Sequence, residues 1–184
     1  MFDHFDLLAH LYDNAIPFSR LEQMVRIVEL PVDGVLLDAG GGTGRVASAL
    51  IPYVQKVFIA DSSPGMLAQA RKKALDVVQT PAENLPFKDG TFERIIMVDA
   101  FHHVEQQARV ISELWRVLKP GGLLVIEEPA VRTWQVKIVA VVEKLALMRS
   151  HFLSPPRIAE LLPAEAKTHI EIEGYNAWVI AHKQ

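Results

Sequence analysis

Short apolar runs alternate with amphipathic segments along most of this 184-residue chain. Continuous apolar runs rich in β-branched residues are typical of buried strands, whereas apolar residues that recur every third or fourth position are typical of helices. The segment 105–118 has the helical spacing, with Val110, Ile111, Leu114 and Val117 on one face. Strands are predicted at 34–40, 56–61, 76–80, 94–100 and 123–129, and helices at 44–54, 62–75 and 105–118.

This alternation predicts an α/β fold with a doubly wound, mostly parallel, seven-stranded sheet and helices on both faces. Parallel strands need long crossover connections, which are usually helices. The last two strands, at 168–174 and 177–183, are too close in sequence for a crossover, so they are predicted to form a hairpin that adds an antiparallel strand. The whole chain is predicted to be one domain, with residues 1–30 as a helical N-terminal cap in two pieces. Further helices are predicted at 131–149 and near 155–162.

The composition excludes several classes of protein. Half of the residues are apolar and 22% are charged, which is typical of a compact globular chain. The net charge is −3 and no block of lysine and arginine occurs, so no nucleic-acid partner is predicted. The chain has no cysteine, and no metal site is predicted. The N-terminus lacks an apolar core of signal-peptide length, and charged residues interrupt the apolar stretch 138–148, so a cytoplasmic protein without a membrane span is expected.

The segment "LLDAGGGTGRV", residues 36–46, contains the strongest candidate chemistry. In doubly wound sheets, ligands bind beyond the carboxyl ends of the strands. A glycine loop there lets the backbone approach the ligand, and the next helix offers free N–H groups to an anion. The segment does not end in Gly-Lys-Ser or Gly-Lys-Thr, so a P-loop is not predicted. A dinucleotide fingerprint fits Gly42, Gly44 and Ala47 loosely, while D-x-G-x-G-x-G fits Asp38, Gly40, Gly42 and Gly44.

That second pattern, together with four other segments in order, resembles the class I S-adenosylmethionine-dependent methyltransferases. The segments are "FDLLAHLYD" near the N-terminus, "PAENLPF", "DGTFERIIMVDAFHHV" and "ELWRVLKPGGLLVIEEP". The class I resemblance extends over about residues 34–128, and the N-terminal segment is similar to the start of the methyltransferases of ubiquinone and menaquinone biosynthesis and their small-molecule relatives. The resemblance implies S-adenosylmethionine as the cofactor and methyl transfer to a small-molecule acceptor. A nicotinamide-dependent oxidoreductase and an inactive cofactor-binding partner subunit remain the alternatives.

The resemblance also implies which residues bind the cofactor. Asp61 ends the second strand, where a carboxylate accepts hydrogen bonds from both ribose hydroxyls. Its other interpretation is an N-cap of the next helix, for which Ser62 and Ser63 are also candidates. Asp38 either contacts the cofactor or caps the glycine loop. The implied cofactor-binding residues are Tyr12, Asp38, Gly40, Gly42, Gly44, Asp61, Ala82, Glu83 and Asp99.

One position departs from the family pattern. Family members often carry an aspartate before the alanine of the loop that flanks the adenine, and here that position is Pro81. The adenine contact is therefore expected either from the Ala82 backbone and Glu83 or from mainly apolar groups.

His102 and His103 follow the fourth strand and are the candidate catalytic residues. A histidine there could accept a proton from the acceptor, because its pKa lies near neutrality. The two residues could instead line the acceptor pocket, which is favoured for at least one of them, or cap the following helix. The methyl donor is already activated, so proximity and water exclusion are expected to provide most of the catalysis. The pocket is expected to be roofed by residues 1–20 and 131–162.

Overall fold

The computed structural model describes residue 18, residues 20–130 and residues 151–184. Three predictions fall outside these residues: the first piece of the N-terminal cap, the helix at 131–149 and the position of Tyr12. The second piece of the cap is a helix, α1, over Leu21–Ile27.

Seven strands form one sheet in the order β3-β2-β1-β4-β5-β7-β6. Neighbours among β1 to β5 pair in parallel, β7 is antiparallel to β5, and β6 is antiparallel to β7. The predicted fold class is therefore confirmed, including the C-terminal hairpin. The strands are β1 Val35–Ala39, β2 Lys56–Asp61, β3 Asp76–Gln79, β4 Phe92–Val98, β5 Leu118–Pro129, β6 Lys167–Glu173 and β7 Asn176–His182.

The helices lie on both faces of the sheet. After α1 come α2 Arg45–Leu50, α3 Pro64–Lys72, α4 Gln107–Val117 and α5 Pro155–Ala159, with short 3-10 helices at Ile51–Tyr53 and Phe101–His103. The helix predicted at 44–54 becomes 3-10 after Leu50, because Pro52 has no N–H to donate to the preceding turn. The helix α3 begins as predicted, with the Ser63 side chain accepting the N–H of Met66 and Pro64 in the first turn.

Two apolar clusters cover the two faces of the sheet. Successive strand residues point to opposite faces, so Leu36 belongs to one cluster and Leu37 to the other. Helices α1, α2 and α3 contribute to the cluster around Leu36, while α4 and α5 contribute to the cluster around Leu37. Burial of each such large side chain stabilises the fold by about 1.5–3 kcal/mol.

The order of the strands reverses at β1, which pairs with β2 on one side and β4 on the other. The chain runs outward from β1 to β3 and then returns to begin the second half at β4. A crevice forms at the carboxyl ends of the strands where the order reverses. This topology places the glycine loop after β1 beside the turn after β4.

Candidate functional site

Gly42 is the glycine of the loop at which an added Cβ would overlap no other atom. Its backbone has φ of +54°, in the left-handed region that side chains disfavour. A Cβ on Gly42 would have as its nearest neighbours the Met66 sulfur at 3.8 Å and the Asp61 Oδ2 at 4.0 Å. The backbone at this position is therefore accessible to a ligand beside Asp61.

Gly40 and Gly44 are needed for close packing. A Cβ on Gly40 would lie 2.7 Å from the Ala100 Cβ, so this glycine allows the turn after β4 to approach the loop. A Cβ on Gly44 would overlap the side chain of Leu75, which is part of the core. The cofactor contacts proposed for Gly40 and Gly44 therefore involve backbone atoms.

Asp61 connects the end of β2 to the glycine loop. Its Oδ2 accepts the N–H of Gly42 at 2.9 Å, and its Oδ1 accepts the N–H of Ser63 at 2.8 Å. The N-cap position of α3 is filled by Ser63, so the alternative interpretation of Asp61 as that cap is wrong. A carboxylate oxygen can accept more than one hydrogen bond, and the Asp61 side chain is only half-buried.

Asp38 lies beneath the loop and is 1% exposed. Its carboxylate accepts the N–H of Ala47 in the first turn of α2, which supports its interpretation as a cap. The other oxygen, Oδ2, has no hydrogen-bond partner among the residues that the structure describes. Burial, and then the charge of Asp61, raise the pKa of Asp38 to about 7.

The loop that carries Ala82 and Glu83 is held by α4. The loop begins beside Asp61, whose carbonyl accepts the N–H of Thr80 at 2.9 Å. Arg109 Nε donates to the Glu83 carbonyl at 3.0 Å. Arg116 donates to the carbonyls of residues 85 and 87, and Glu113 accepts the N–H of residue 85. Sequence reasoning missed these three charged residues of α4, although their spacing places them on one helix face.

Asp99 lies between the glycine loop and β5. Its backbone has φ of +51°, and its N–H donates to the Glu127 carbonyl at 3.0 Å. Its Oδ2 lies 3.9 Å from Arg45 Nη2, at the first residue of α2. The structure thus brings Asp99 together with Asp38, Asp61 and the glycines at one end of the sheet, as predicted.

His102 is paired with Glu128, at the end of β5. His102 Nδ1 lies 2.6 Å from Glu128 Oε2, and the N–H of Phe101 donates to Glu128 Oε1 at 2.9 Å. The His102 ring stacks on Phe152, with centroids 4.3 Å apart and planes 13° apart. Burial raises the pKa of Glu128, while the hydrogen bond to His102 lowers it.

His103 lies against His102, with ring centroids 4.0 Å apart. Burial, and then the neighbouring His102, lower the pKa of His103 to about 3. The N-cap residue of α4 is Gln106, with no side-chain cap, so the alternative in which a histidine caps that helix is wrong.

Glu127 forms a second buried contact at the end of β5. It is fully buried, its Oε1 lies 2.6 Å from Arg20 Nη2, and its Oε2 accepts the N–H of Trp178 at 2.9 Å. Burial raises the pKa of Glu127, and the charge of Arg20 opposes the rise. Sequence reasoning treated Glu127 and Glu128 only as residues of the strand. Two adjacent acids at the end of a buried strand could have indicated that each has a specific partner.

Comparison with known proteins shows which family this site resembles. A family model described as "Methyltransferase domain" matches residues 37–126, which include the second half of β1, the glycine loop, Asp61, the histidines and most of β5. Over these residues the chain is similar to methyltransferase domains. The predicted resemblance to S-adenosylmethionine-dependent methyltransferases is confirmed.

The most similar relatives include two ubiquinone/menaquinone biosynthesis C-methyltransferases. The protein of Coxiella burnetii is 36% identical over 104 residues, which are 50% of this chain and 42% of that protein. The protein of Zymomonas mobilis is 32% identical over 137 residues, which are 71% of this chain and 57% of that protein. The chain thus spans about half the length of the curated relatives it matches.

The fold has a solved counterpart along nearly its whole length. The crystal structure of an S-adenosylmethionine-dependent methyltransferase from Thermotoga maritima covers 98% of both chains, with a TM-score of 0.80 and 22% identity. This likeness confirms the fold around the methyltransferase domain. Within the described residues, no helix has the length and apolar character needed to cross a membrane.

Proposed function

We propose that this chain transfers the methyl group of S-adenosylmethionine to a small-molecule acceptor. The observation that carries the proposal is the open backbone of Gly42 beside the Asp61 carboxylate, within a matched methyltransferase domain. That arrangement offers a surface without side chains and a charged acceptor for hydroxyls at the same place. The alternatives, an oxidoreductase and an inactive subunit, have no comparable support among the relatives described above.

The residues present fit this cofactor along the carboxyl ends of the strands. Asp61 would accept the ribose hydroxyls, because its carboxylate lies at the end of β2 beside the Gly42 backbone, and a carboxylate oxygen can accept more than one hydrogen bond. Ala82 and Glu83 would flank the adenine, on a loop that starts at Asp61 and is fixed by Arg109. Asp38, the loop glycines and Asp99 would surround the methionine end. Tyr12 remains a proposed contact on the resemblance alone.

The cofactor, when bound, supplies a methyl group activated by the positive sulfur. The chain then has to hold the acceptor in line and keep water out, which is where proximity and orientation contribute most. The turn after β4 suits this role because it packs closely on the glycine loop, where a Cβ on Gly40 would lie 2.7 Å from the Ala100 Cβ.

A small acceptor is proposed on two grounds. The net charge of −3 and the lack of a basic block do not suit a nucleic acid. The curated relatives are named for ubiquinone and menaquinone biosynthesis, which supports a small aromatic acceptor. A single domain over residues 1–184, with 1–30 as its cap, and a cytoplasmic location are proposed on sequence grounds alone.

Calorimetric titration tests the proposed cofactor. S-adenosylmethionine and S-adenosylhomocysteine should bind and raise the melting temperature, because a ligand that binds only the folded state stabilises it. NADH should do neither, and binding of NADH in place of S-adenosylmethionine would show that the proposal is wrong.

A second assay separates an enzyme from an inactive subunit. The chain is incubated with S-adenosylmethionine and a panel of small hydroquinones, phenols, amines and thiols, and S-adenosylhomocysteine is measured. Acceptor-dependent product supports the proposal, whereas cofactor binding without product for any acceptor favours the inactive subunit.

A further inference from the structure

The strand β6 forms one edge of the sheet and carries exposed apolar side chains. Among the described residues it pairs with β7 only, so one row of its backbone N–H and C=O groups points out of the sheet. Four large apolar side chains are exposed in the described part of the chain, and three of them lie in the hairpin of β6 and β7: Ile170, Ile172 and Tyr175. Exposed apolar residues on an edge strand indicate a surface that can pair with another strand.

The opposite edge of the sheet has neither feature. It is formed by β3, which has four residues, whereas β6 has seven. A short edge strand offers few backbone groups to a partner. The two valines of β3 are half-buried, so little apolar surface is exposed there. Of the two edges, β6 is therefore the one suited to pairing.

The side chains of β6 form two rows, because neighbouring residues of a strand point to opposite faces. The charged row consists of Lys167, His169, Glu171 and Glu173. The uncharged row consists of Thr168, Ile170 and Ile172. The charged row points to the face that carries α1, where Arg26 Nη1 lies 2.9 Å from Glu171 Oε2. The exposed isoleucines therefore point to the other face.

The charged row is complementary to itself in an antiparallel pair. When two copies of β6 pair with Ile170 at the centre, each residue lies opposite the residue equally far from Ile170 on the other side. Lys167 then lies opposite Glu173 of the second copy, and His169 lies opposite Glu171 of the second copy. Two-fold symmetry forms each of these contacts twice. Opposite charges at directly opposed positions stabilise an antiparallel pair.

Neighbouring registers are less complementary. A two-fold axis perpendicular to the sheet keeps each row on its own face, so the centre of the pair has to be a residue. A centre at Glu171 would oppose two carboxylates, which is destabilising. A centre at His169 would leave Glu173 beyond the start of the second β6. Only a centre at Ile170 pairs all seven residues and opposes no like charges.

We propose that this chain forms a two-fold dimer in which β6 pairs antiparallel with β6 of a second copy, centred on Ile170. The two seven-stranded sheets then form one continuous sheet. Ile170 contacts its own copy at the axis, and Ile172 lies beside Thr168 of the second copy, so the exposed apolar row is covered. A single strand pair is smaller than a standard interface, so the dissociation constant is expected at roughly 1–100 μM.

The dimer leaves the proposed cofactor sites apart. β6 runs parallel to β5, because both are antiparallel to β7. Antiparallel pairing of two β6 strands reverses the strand direction in the second copy. The carboxyl ends of β1 to β5, and with them the two sites, therefore lie at opposite ends of the continuous sheet. Dissociation should leave the affinity for S-adenosylhomocysteine unchanged, and the dimer does not depend on the proposed function.

Sedimentation velocity of the full chain, from about 1 μM to about 1 mM, tests for the dimer. A monomer throughout this range would overturn the inference. Ile170→Arg puts like charges at the axis and should raise the dissociation constant roughly 10-fold or more. The control is Ile51→Arg, at an isoleucine that is 47% exposed and lies outside β6. Equal effects of the two substitutions would place the interface elsewhere and contradict the inference.

Cysteine cross-linking tests the register, because the chain has no cysteine of its own. Directly opposed residues of antiparallel strands have Cα atoms about 4.5–5.5 Å apart, which a disulfide can span. Ile170→Cys should therefore form a covalent dimer on mild oxidation. In the control Ile172→Cys the residue is more exposed, 56% against 36%, but the two copies would lie about 14 Å apart. Cross-linking of Ile172→Cys as fast as Ile170→Cys, or of neither, would overturn the register.

Exchange of charges tests the complementarity. Lys167→Glu and Glu173→Lys each place like charges opposite each other, so each should raise the dissociation constant roughly 10-fold. The double variant restores opposite charges and should dimerise nearly as tightly as the wild type. Glu173 also lies 3.9 Å from Arg26 Nη2 in its own copy, and a loss caused by that contact would not be recovered in the double variant. Absence of recovery would therefore contradict the pairing of these two residues.

Discussion

Replacing Asp61 by asparagine tests how one carboxylate serves both the loop and the proposed cofactor. Asp61 accepts two backbone N–H groups, from Gly42 and Ser63, one on each oxygen. Asparagine keeps one acceptor oxygen and puts an NH2 group in place of the other. The N–H of either Gly42 or Ser63 then faces the NH2 group and loses its hydrogen bond. Loss of a hydrogen bond to a charged acceptor lowers the free energy of unfolding by about 1.5–3 kcal/mol. The side chain is half-buried, so water offsets part of this cost and the lower end is expected for the unliganded protein.

The effect on the cofactor should be larger than the effect on the fold. The variant offers one hydroxyl acceptor instead of two and removes the charge, so the dissociation constant for S-adenosylhomocysteine should rise roughly 10- to 100-fold. Calorimetry measures the constant, and urea unfolding measures stability. The control is Asp76→Asn, at the exposed start of β3, where the carboxylate pairs only with Lys56 among the described contacts. An unchanged dissociation constant in Asp61→Asn would refute the ribose assignment.

Three further substitutions test other parts of the site. Gly42→Val should weaken S-adenosylhomocysteine binding in calorimetry more than Gly121→Val, because only Gly42 lies at the proposed cofactor surface. The two glycines are comparable, since both have positive φ and an added Cβ would overlap no atom at either. The pKa of Asp38 is raised from 3.8 to about 7, so between these pH values the folded state binds a proton that the unfolded state does not. The free energy of unfolding should therefore fall as the pH rises through that interval. Urea titrations at several pH values should show this slope, and Asp38→Asn should flatten it. Arg20→Met should lower the free energy of unfolding by about 1.5–3 kcal/mol at neutral pH, because it removes the cation beside the buried Glu127 and leaves only the Trp178 N–H among its described partners. Adding Glu127→Gln should recover part of the loss. Equal losses of affinity in Gly42→Val and Gly121→Val would contradict the first argument. An unchanged pH slope in Asp38→Asn would contradict the second, and an unchanged free energy of unfolding in Arg20→Met would contradict the third.

The parallel sheet could be predicted because its strands carry their own signal. Strands β1, β2, β4 and β5 each contain a short apolar run, as expected for strands covered on both faces. The strand β6 is largely exposed, and its prediction depended on the short link to β7. The end of α2 was misplaced because Pro52 breaks the hydrogen-bond ladder inside a segment that keeps the helical apolar spacing.

The glycine loop and Asp61 could be located from sequence because the family pattern fixes their spacing. The contacts that hold the site could not, because they join residues far apart in the chain. Arg109 reaches Glu83 across 26 positions, and Trp178 reaches Glu127 across 51. Such contacts depend on the order of the strands and on which helix covers which face, and neither is written in a local pattern.

The two glutamates that end β5 show how strand geometry divides adjacent residues between two tasks. Neighbouring side chains on a strand point to opposite faces. Glu127 faces the cluster that contains Trp178, where Arg20 brings the start of α1 onto the sheet. Glu128 faces the cluster that contains Phe101, where it holds His102. The pleat decides which face each glutamate points to. A one-residue change of register in β5 would therefore turn Glu127 toward the face of His102 and Glu128 toward the face of Arg20 and Trp178. The contacts of both glutamates therefore depend on the register between β4 and β5, in which Met97 lies beside Ile126 and Val98 lies beside Glu127.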